Sequence, residues 1–283
     1  MDSKTFSKLQ KLTHLNENYL KEIVDAIEVQ NKKQLIFSGP PGTGKTFVAK
    51  ELVSALSGDD YSEIVQFHPS YGYEEFMVGL KPVADGNAIK FEPEEGIVLE
   101  IAEKAEKNKD KKYFLIIDEM NRGNLPKIFG ELMFLFEYRN KEISLQYELK
   151  NKSNKFKLPE NLYFIGTMNT ADRSIRGIDA ALRRRFDVFK FNPDVEILKS
   201  FYDSGNKNEY SNLYSSFERL NNMLEDVLGS TDMLIGHSFF MENVLTEEKL
   251  RYKWERQIKP QIEEYLYDNK TALGEFEFEN IFN

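Results

Sequence analysis

Gly39, Pro40, Pro41, Gly42, Thr43, Gly44, Lys45 and Thr46 have the types and spacing of a loop that wraps phosphates. Its glycines let successive backbone N–H groups converge on an anion, and a following helix adds its own N-terminal donors. Lys45 is placed to reach the terminal phosphates of a nucleotide, and the Thr46 hydroxyl to sit on Mg²⁺. The context fits: Gln34-Leu-Ile-Phe-Ser38 reads as a buried strand before the loop, and Phe47 opens a helix after it.

Asp118 and Glu119 end a second apolar run, Lys112-Tyr-Phe-Leu-Ile-Ile. In P-loop enzymes an acid at such a strand end holds Mg²⁺, directly or through water. Glu119 is then positioned to orient and deprotonate a water aimed at the terminal phosphorus. Alone, the pair could equally cap a strand and face solvent; beside the loop at 39–46 it reads as a hydrolytic centre. A third cluster, Gly166-Thr-Met-Asn169-Thr-Ala-Asp172-Arg173-Ser174, follows another buried strand. If that strand neighbours the one ending at Asp118, Asn169 could hold the attacking water or contact the terminal phosphate. Thr170 and Ser174 read as turn residues that cap the next helix. Arg183, Arg184 and Arg185 close a further helical stretch. Helix C-termini favour cations, yet three in a row point to different faces, so one is free to meet a neighbouring subunit's phosphates.

The elements that must position these groups follow from periodicity. Residues 3–30 alternate charged and apolar positions at helical spacing, and Ile64–Phe67 reads as a second strand. The stretch up to Gly96 is broken by Gly79, Gly86, Pro82 and Pro93, as in an inserted ribbon. Helices are expected over Ile97–Asn108 and Pro126–Phe136, a hairpin between Glu142–Glu148 and Phe156–Leu158, and a strand over Leu162–Thr167. Alternating strands and helices with a phosphate loop after the first core strand predict an α/β fold with a parallel sheet. Beyond Pro193 only amphipathic helical stretches are expected, over Asp194–Asp203, Tyr214–Leu228 and Leu245–Tyr267. The expected division is therefore 1–192 as nucleotide-binding α/β domain and 193–283 as a small all-helical lid. Trp254 belongs to the lid's packing.

At 283 residues the chain is near the size where cores split. No apolar run approaches the roughly 18 residues of a membrane span, and the N-terminus lacks a signal peptide's apolar core. The absence of cysteine excludes disulfides and thiolate metal sites and fits a cytoplasmic location. His14, His68 and His237 are too scattered to suggest zinc. A net charge of -9 argues against coating the segment in nucleic acid. The basic run Lys150, Lys152, Lys155, Lys157 reads as a hairpin tip.

These motifs closely resemble the McrB family, the AAA+ GTPase motor subunits of McrBC-type modification-dependent restriction systems. The likeness is carried by the P-loop, by Phe67-His-Pro-Ser-Tyr-Gly-Tyr-Glu-Glu-Phe76 and by Ile116-Ile-Asp-Glu-Met-Asn-Arg-Gly-Asn-Leu125. It continues through Asn161–Ile175 with its Met-Asn-Thr-Ala-Asp block, Asp179–Phe186, and Ile235-Gly-His-Ser-Phe-Phe240. The resemblance implies an AAA+ P-loop NTPase with a parallel-sheet large domain and helical lid, assembling into hexameric rings with nucleotide and Mg²⁺ between subunits. It implies GTP as substrate, although no motif here reads the base and ATP stays the alternative. Asn169 and Asp172 match the signature at the sensor position. Asp172 either orients arginines or holds the sensor loop. Arg184 and Arg185 match the arginines that act across the interface, Arg183 less well. His237 either reports on nucleotide from the lid or faces the core.

The resemblance also implies a partner nuclease subunit of the McrC type, and part of that contact is expected near Asn121, Arg122 and Asn124, which read as an exposed loop. Family members carry a DNA-recognition domain ahead of the motor, but only about thirty residues precede the first core strand. The chain is therefore a fragment, or recognition lies on another polypeptide, or another defence system uses the motor. No nuclease constellation is present, so cleavage would belong to the partner and DNA would be engaged through the complex. The competing readings are an ATP-dependent remodeller of protein complexes and a nucleotide-gated assembly scaffold.

Overall fold

The computed structural model describes residues 1–85, 88–149, 153–172 and 180–282. In chain order the strands of its first part are β1 (Gln34–Gly39), β2 (Ser62–Gln66), β3 (Val78–Asp85), β4 (Ala88–Glu95), β5 (Tyr113–Asp118), β6 (Ile143–Ser144), β7 (Lys155–Phe156), β8 (Leu162–Asn169) and β9 (Asp187–Lys190). Five of them form one sheet in the order β2-β5-β8-β1-β9, with every pair parallel. β1 and β5 are apolar almost throughout, as strands covered on both faces must be.

Side-chain alternation divides the core. Leu35, Phe37, Phe114, Ile116 and Ile165 pack against the N-terminal helices and the helix Lys45–Ser57. Ile36, Leu115, Ile117 and Phe164 face the other way, onto the helix Ile97–Lys107 and the segment 125–137. Parallel register brings β1, β5 and β8 to a common carboxyl edge, with Gly39 opposite Asn169 and Ile117 opposite Gly166. That edge is where a nucleotide binds in open α/β sheets.

Several elements differ from the sequence expectation for local reasons. The helical stretch at 3–30 is two helices, Ser3–Thr13 and Glu17–Glu28. His14 adopts a left-handed conformation (φ 57°) and ends the first, and Asn16 caps the second through the N–H groups of Asn18 and Tyr19. The helix expected over 126–136 breaks into Leu125–Phe129 and Leu132–Glu137 at Gly130, whose φ of +48° suits glycine. β9 was not foreseen. The 142–158 hairpin retains only two paired residues per strand, with Leu145 N–H donating to the Asn154 carbonyl. Lys155 bonds back to Ser144 at 2.7 Å, while Lys150 and Lys152 lie outside the described residues.

The β3–β4 ribbon is the expected insertion. Its register sets Leu80, Pro82 and Ala84 opposite Pro93, Phe91 and Ile89, an apolar face on which Leu80, Ile89 and Phe91 are exposed.

A third core runs from Leu198 to Phe282 and holds the fully buried Trp254. It is helical apart from a two-residue parallel pair, β10 (Lys207–Asn208) with β11 (Val244–Leu245). The helices Leu213–Leu228, Glu247–Lys253 and Lys259–Tyr265 supply most of it, the last two joined through a π turn at Trp254–Ile258. No helix among the described residues is long and apolar enough to cross a membrane.

Candidate functional site

The glycine loop leaves β1 at Gly39 and enters the helix at Lys45. Gly42 (φ +76°) and Gly44 (φ +79°) hold left-handed conformations that bend the loop into a cradle. Lys45 is buried and turned back on the loop, its Nζ donating to the carbonyls of Pro40 at 2.7 Å and Gly39 at 2.9 Å. Burial lowers its pKa to about 8, against the pull of Glu119 and Asp118. Pro41, Gly42, Gly44, Lys45, Thr46 and Phe47 line a cavity of about 210 Å³ whose far wall is Glu119, Thr167 and Asn169. The phosphate loop, the two carboxylates and the third cluster thus meet at one place, because β5 and β8 are neighbours.

The polar centre is a short hydrogen-bonded chain. Thr46 Oγ1 and Thr167 Oγ1 each donate to Asp118 Oδ1 at 2.6 Å. Thr167 Oγ1 also accepts from the Glu119 N–H at 3.1 Å. One buried hydroxyl therefore fixes both acids. Sequence reasoning treated Thr167 only as the end of a strand; the signal was its place on β8 beside the Asp118 strand end. Glu119 sits in the left-handed region (φ 51°), a strained conformation of the kind that clusters at functional sites. Burial raises its carboxyl above the usual range, Asp118 adds to this, and Arg122 opposes it.

Asn169 ends β8 and lines the cavity; its Oδ1 accepts from Ala171 N–H at 3.4 Å. Its carbonyl accepts from Asn121 Nδ2 at 3.0 Å. Asn121 is buried rather than exposed on a loop, which removes the ground for expecting a partner contact at its side chain. Asn124 caps the helix Leu125–Phe129. Arg122 Nε lies 3.4 Å from Glu119 Oε2 and 3.9 Å from Asp172 Oδ2, so one guanidinium links Asp172 to the Glu119 carboxylate. The Thr170 hydroxyl donates to the Asp232 carbonyl of the lid at 2.7 Å, while the start of the segment it is expected to cap lies outside the described residues. Arg173, Ser174 and Asp179 lie outside the described residues.

Arg184 and Arg185 are not at this cavity. They immediately precede β9, whose Asp187 pairs with Leu35 at the amino end of β1. They line a separate hollow of about 520 Å³ with Lys33, Gln34 and Arg139 at the opposite edge of the sheet. Arg184 is exposed, whereas Arg185 donates to Ala181 O at 2.6 Å and to Glu137 Oε2 at 2.7 Å.

The lid closes directly on the loop. Gly236 N–H donates to Pro41 O at 3.1 Å and Ser238 N–H to Gly42 O at 2.9 Å. A Cβ on Gly236 would fall 2.1 Å from the Gly42 carbonyl carbon, so this approach needs glycine. His237 is buried at this seam, and burial lowers its pKa to about 4. Its Nδ1 accepts from the Asp194 N–H at 3.4 Å.

The oxygens of Thr46 and Asp118 are hard donors of the kind Mg²⁺ takes. The described residues contain no group of three His, Cys, Asp or Glu side chains that could hold a metal. Phosphate oxygens and water would therefore have to complete the ion's shell, which is its habit at nucleotide sites.

Comparison with known proteins agrees with this geometry. Residues 34–186 match the AAA domain (dynein-related subfamily), and residues 212–274 match the McrB alpha-helical lid domain. The chain is 37% identical over 257 residues to the type IV methyl-directed restriction enzyme EcoKMcrB subunit of Escherichia coli (strain K12), covering 84% of this chain and 55% of that protein. It is 29% identical over 188 residues to the type II restriction enzyme BsuMI component YdiS of Bacillus subtilis (strain 168), covering 53% and 54%. The chain spans about half the length of these curated relatives. A solved structure from Cytophaga hutchinsonii aligns with a TM-score of 0.46 at 12% identity, over 88% of this chain and 83% of that one, too loose a likeness to bear on function. A P-loop with its paired acids on a five-stranded parallel sheet, under a lid matched over 212–274, places the chain in the McrB family of AAA+ P-loop NTPases.

Proposed function

We propose that this chain hydrolyses a nucleoside triphosphate, GTP in preference to ATP, as the ring-forming motor of a DNA restriction system. The observation that carries the hydrolytic reading is the Thr46–Asp118–Thr167–Glu119 chain facing the P-loop cavity. Support for the restriction role comes from the relatives' names and the lid match. Residues 1–192 would carry the chemistry and 193–283 the lid, with the seam at Gly236–Ser238 joining them.

In this mechanism the backbone of residues 39–44 binds phosphates, and Lys45 turns from the Gly39 and Pro40 carbonyls to the terminal phosphates. Thr46 and Asp118 would hold Mg²⁺, which would supply charge neutralisation at the phosphates when bound. Glu119 takes a proton from water that Asn169 helps to orient. Its raised proton affinity suits that task, and Asp172 steadies it through Arg122. Arg184, exposed at the far edge of the sheet, completes the site of the next subunit. Arg185 is held by Glu137 and Ala181 and positions that edge. A McrC-like nuclease subunit would engage the ring, and DNA would be reached through the complex or a separate recognition domain.

Phosphate release and assembly mass, measured together with Mg²⁺ and either GTP or ATP, test the reading. GTP-selective turnover with ring formation, both intact binding and lost turnover in Glu119→Gln, is the expected result. Selective use of ATP would move the function to remodelling of protein complexes. Assembly without turnover in the wild-type chain would leave a nucleotide-gated scaffold.

A further inference from the structure

A second cavity, of about 220 Å³, lies on the other side of the P-loop, with Thr43 in its wall. The two cavities flank Thr43–Gly44, so a nucleotide whose phosphates fill the first can extend its base into the second. Leu15, Phe191 and Ile197 give it apolar walls suited to a purine face. Its polar groups decide which purine.

Tyr19 is already engaged, its hydroxyl donating to Lys190 O at 2.7 Å. Asn16 Oδ1 accepts from the Asn18 and Tyr19 N–H groups, which leaves its Nδ2 as a donor. His237 Nδ1 accepts from Asp194 N–H, so the ring proton belongs on Nε2. That nitrogen is 4.0 Å from where a Cβ on Gly44 would stand. Burial keeps the His237 ring neutral near pH 7, and the Asp194 N–H selects this tautomer. Asp194 Oδ1 caps the helix Val195–Asp203 through Glu196 N–H at 2.9 Å. Its other carboxylate oxygen has acceptor capacity left over.

Among the groups lining the cavity, the surplus is one carboxylate acceptor with donors from Asn16 and His237, beside the exposed Asn192 amide, which can pair in either sense. Guanine offers the complement: N–H donors at N1 and the 2-amino group, beside acceptors at O6 and N7. Adenine sets an acceptor at N1, which would oppose the carboxylate without a proton between them. Resting on the GTP reading above, we propose that Asp194 is the specificity-determining residue of this site, accepting from the N1–H and 2-amino group of guanine. His237 and Asn16 are the donors left for its O6 and N7.

Equilibrium competition against a fluorescent guanine nucleotide on the full chain tests this, using GTP, ATP, inosine triphosphate and xanthosine triphosphate. Inosine lacks the 2-amino group, and xanthosine carries a carbonyl in its place. Wild-type protein should bind inosine triphosphate about tenfold or more weakly than GTP, the scale of one lost hydrogen bond to a charged group. Asp194→Asn keeps a good helix cap but turns one acceptor into a donor. It should shift the GTP-to-xanthosine affinity ratio about tenfold or more toward xanthosine. A GTP-selective wild-type chain that binds inosine triphosphate equally well, or whose Asn variant keeps the wild-type ratio, overturns the assignment to Asp194 alone. A wild-type chain with no preference for GTP over ATP overturns the GTP reading itself, and this assignment with it. The inosine comparison needs no variant, so it stands even where Asp194→Asn does not fold.

Discussion

The two edges of the central sheet hold charge in opposite ways. At the carboxyl edge, Lys45, Asp118 and Glu119 are bonded to their own loop, to Thr46 and Thr167, and to Arg122. At the amino edge, Arg184 is exposed beside Arg139 and Lys33 in an open hollow. One edge sets acids and a phosphate cradle beside Lys45 and an Arg122 already drawn to Glu119 and Asp172; the other gathers Lys33, Arg139, Arg184 and Arg185 with Glu137, Glu160 and Asp187. The two lie at opposite ends of the sheet within one chain. Such a division is what the proposed function requires, in which turnover belongs to a pair of subunits, each giving an opposite edge.

Substituting Arg184 tests that division hardest. Arg184→Ala should lower turnover on the order of 10³-fold or more, with nucleotide affinity nearly kept, as for arginines supplied across an interface. Arg185→Ala should instead lower the melting temperature, because it removes the tie to Glu137 and Ala181. If Arg185 carries the turnover loss and Arg184 does not, exposure is the wrong guide to which arginine reaches the neighbour.

Glu119→Gln should cost about 10²–10⁴-fold in turnover with binding preserved. Mixing it with Arg184→Ala sharpens the comparison. Each variant supplies the edge the other lacks, so mixed rings should recover part of the activity that neither shows alone. No recovery, in mixtures shown by mass to co-assemble, would mean that the edges act within one chain.

A smaller effect is expected from Thr167→Val. It leaves the Glu119 N–H without its buried acceptor, at a cost of about 1–3 kcal/mol that a denaturant titration would read. Turnover should fall as the acids lose their common anchor, while the amino edge is untouched.

The smallest effect concerns pH at the lid seam. The folded His237 has a pKa of about 4, below its ordinary 6.5. As pH falls from 6.5 the unfolded chain takes up the proton first, so stability should drop between pH 6.5 and about 4. His237→Gln should flatten that part of a melting-temperature profile. An unchanged slope would assign the acid sensitivity to other groups.

Much of this was legible in the residues. Periods of 3.6 and runs of buried β-formers gave most helices and four of the five sheet strands, and motif spacing gave the phosphate loop and the acid pair. β9 escaped because four residues, Asp187-Val-Phe-Lys190, carry too little pattern for a strand that a neighbour must define. Thr167 and Asn121 escaped for a related reason: their roles depend on a partner strand's register, which leaves no local trace.

By itself the chain determined what depends on neighbours along it: a glycine-rich turn between a buried strand and a helix, acids ending a second strand, and an Asn–Asp signature ending a third. Tertiary structure alone decided which of these meet. Parallel pairing of β1, β5 and β8 brings three distant segments to one edge, and the parallel β9 sends the arginines to the other. The reason is geometric, since strand direction and register fix which end of a sheet a side chain reaches. The lid's approach to the loop at Gly236 was likewise beyond local pattern, because it is set by two backbones packing where a single Cβ would not fit.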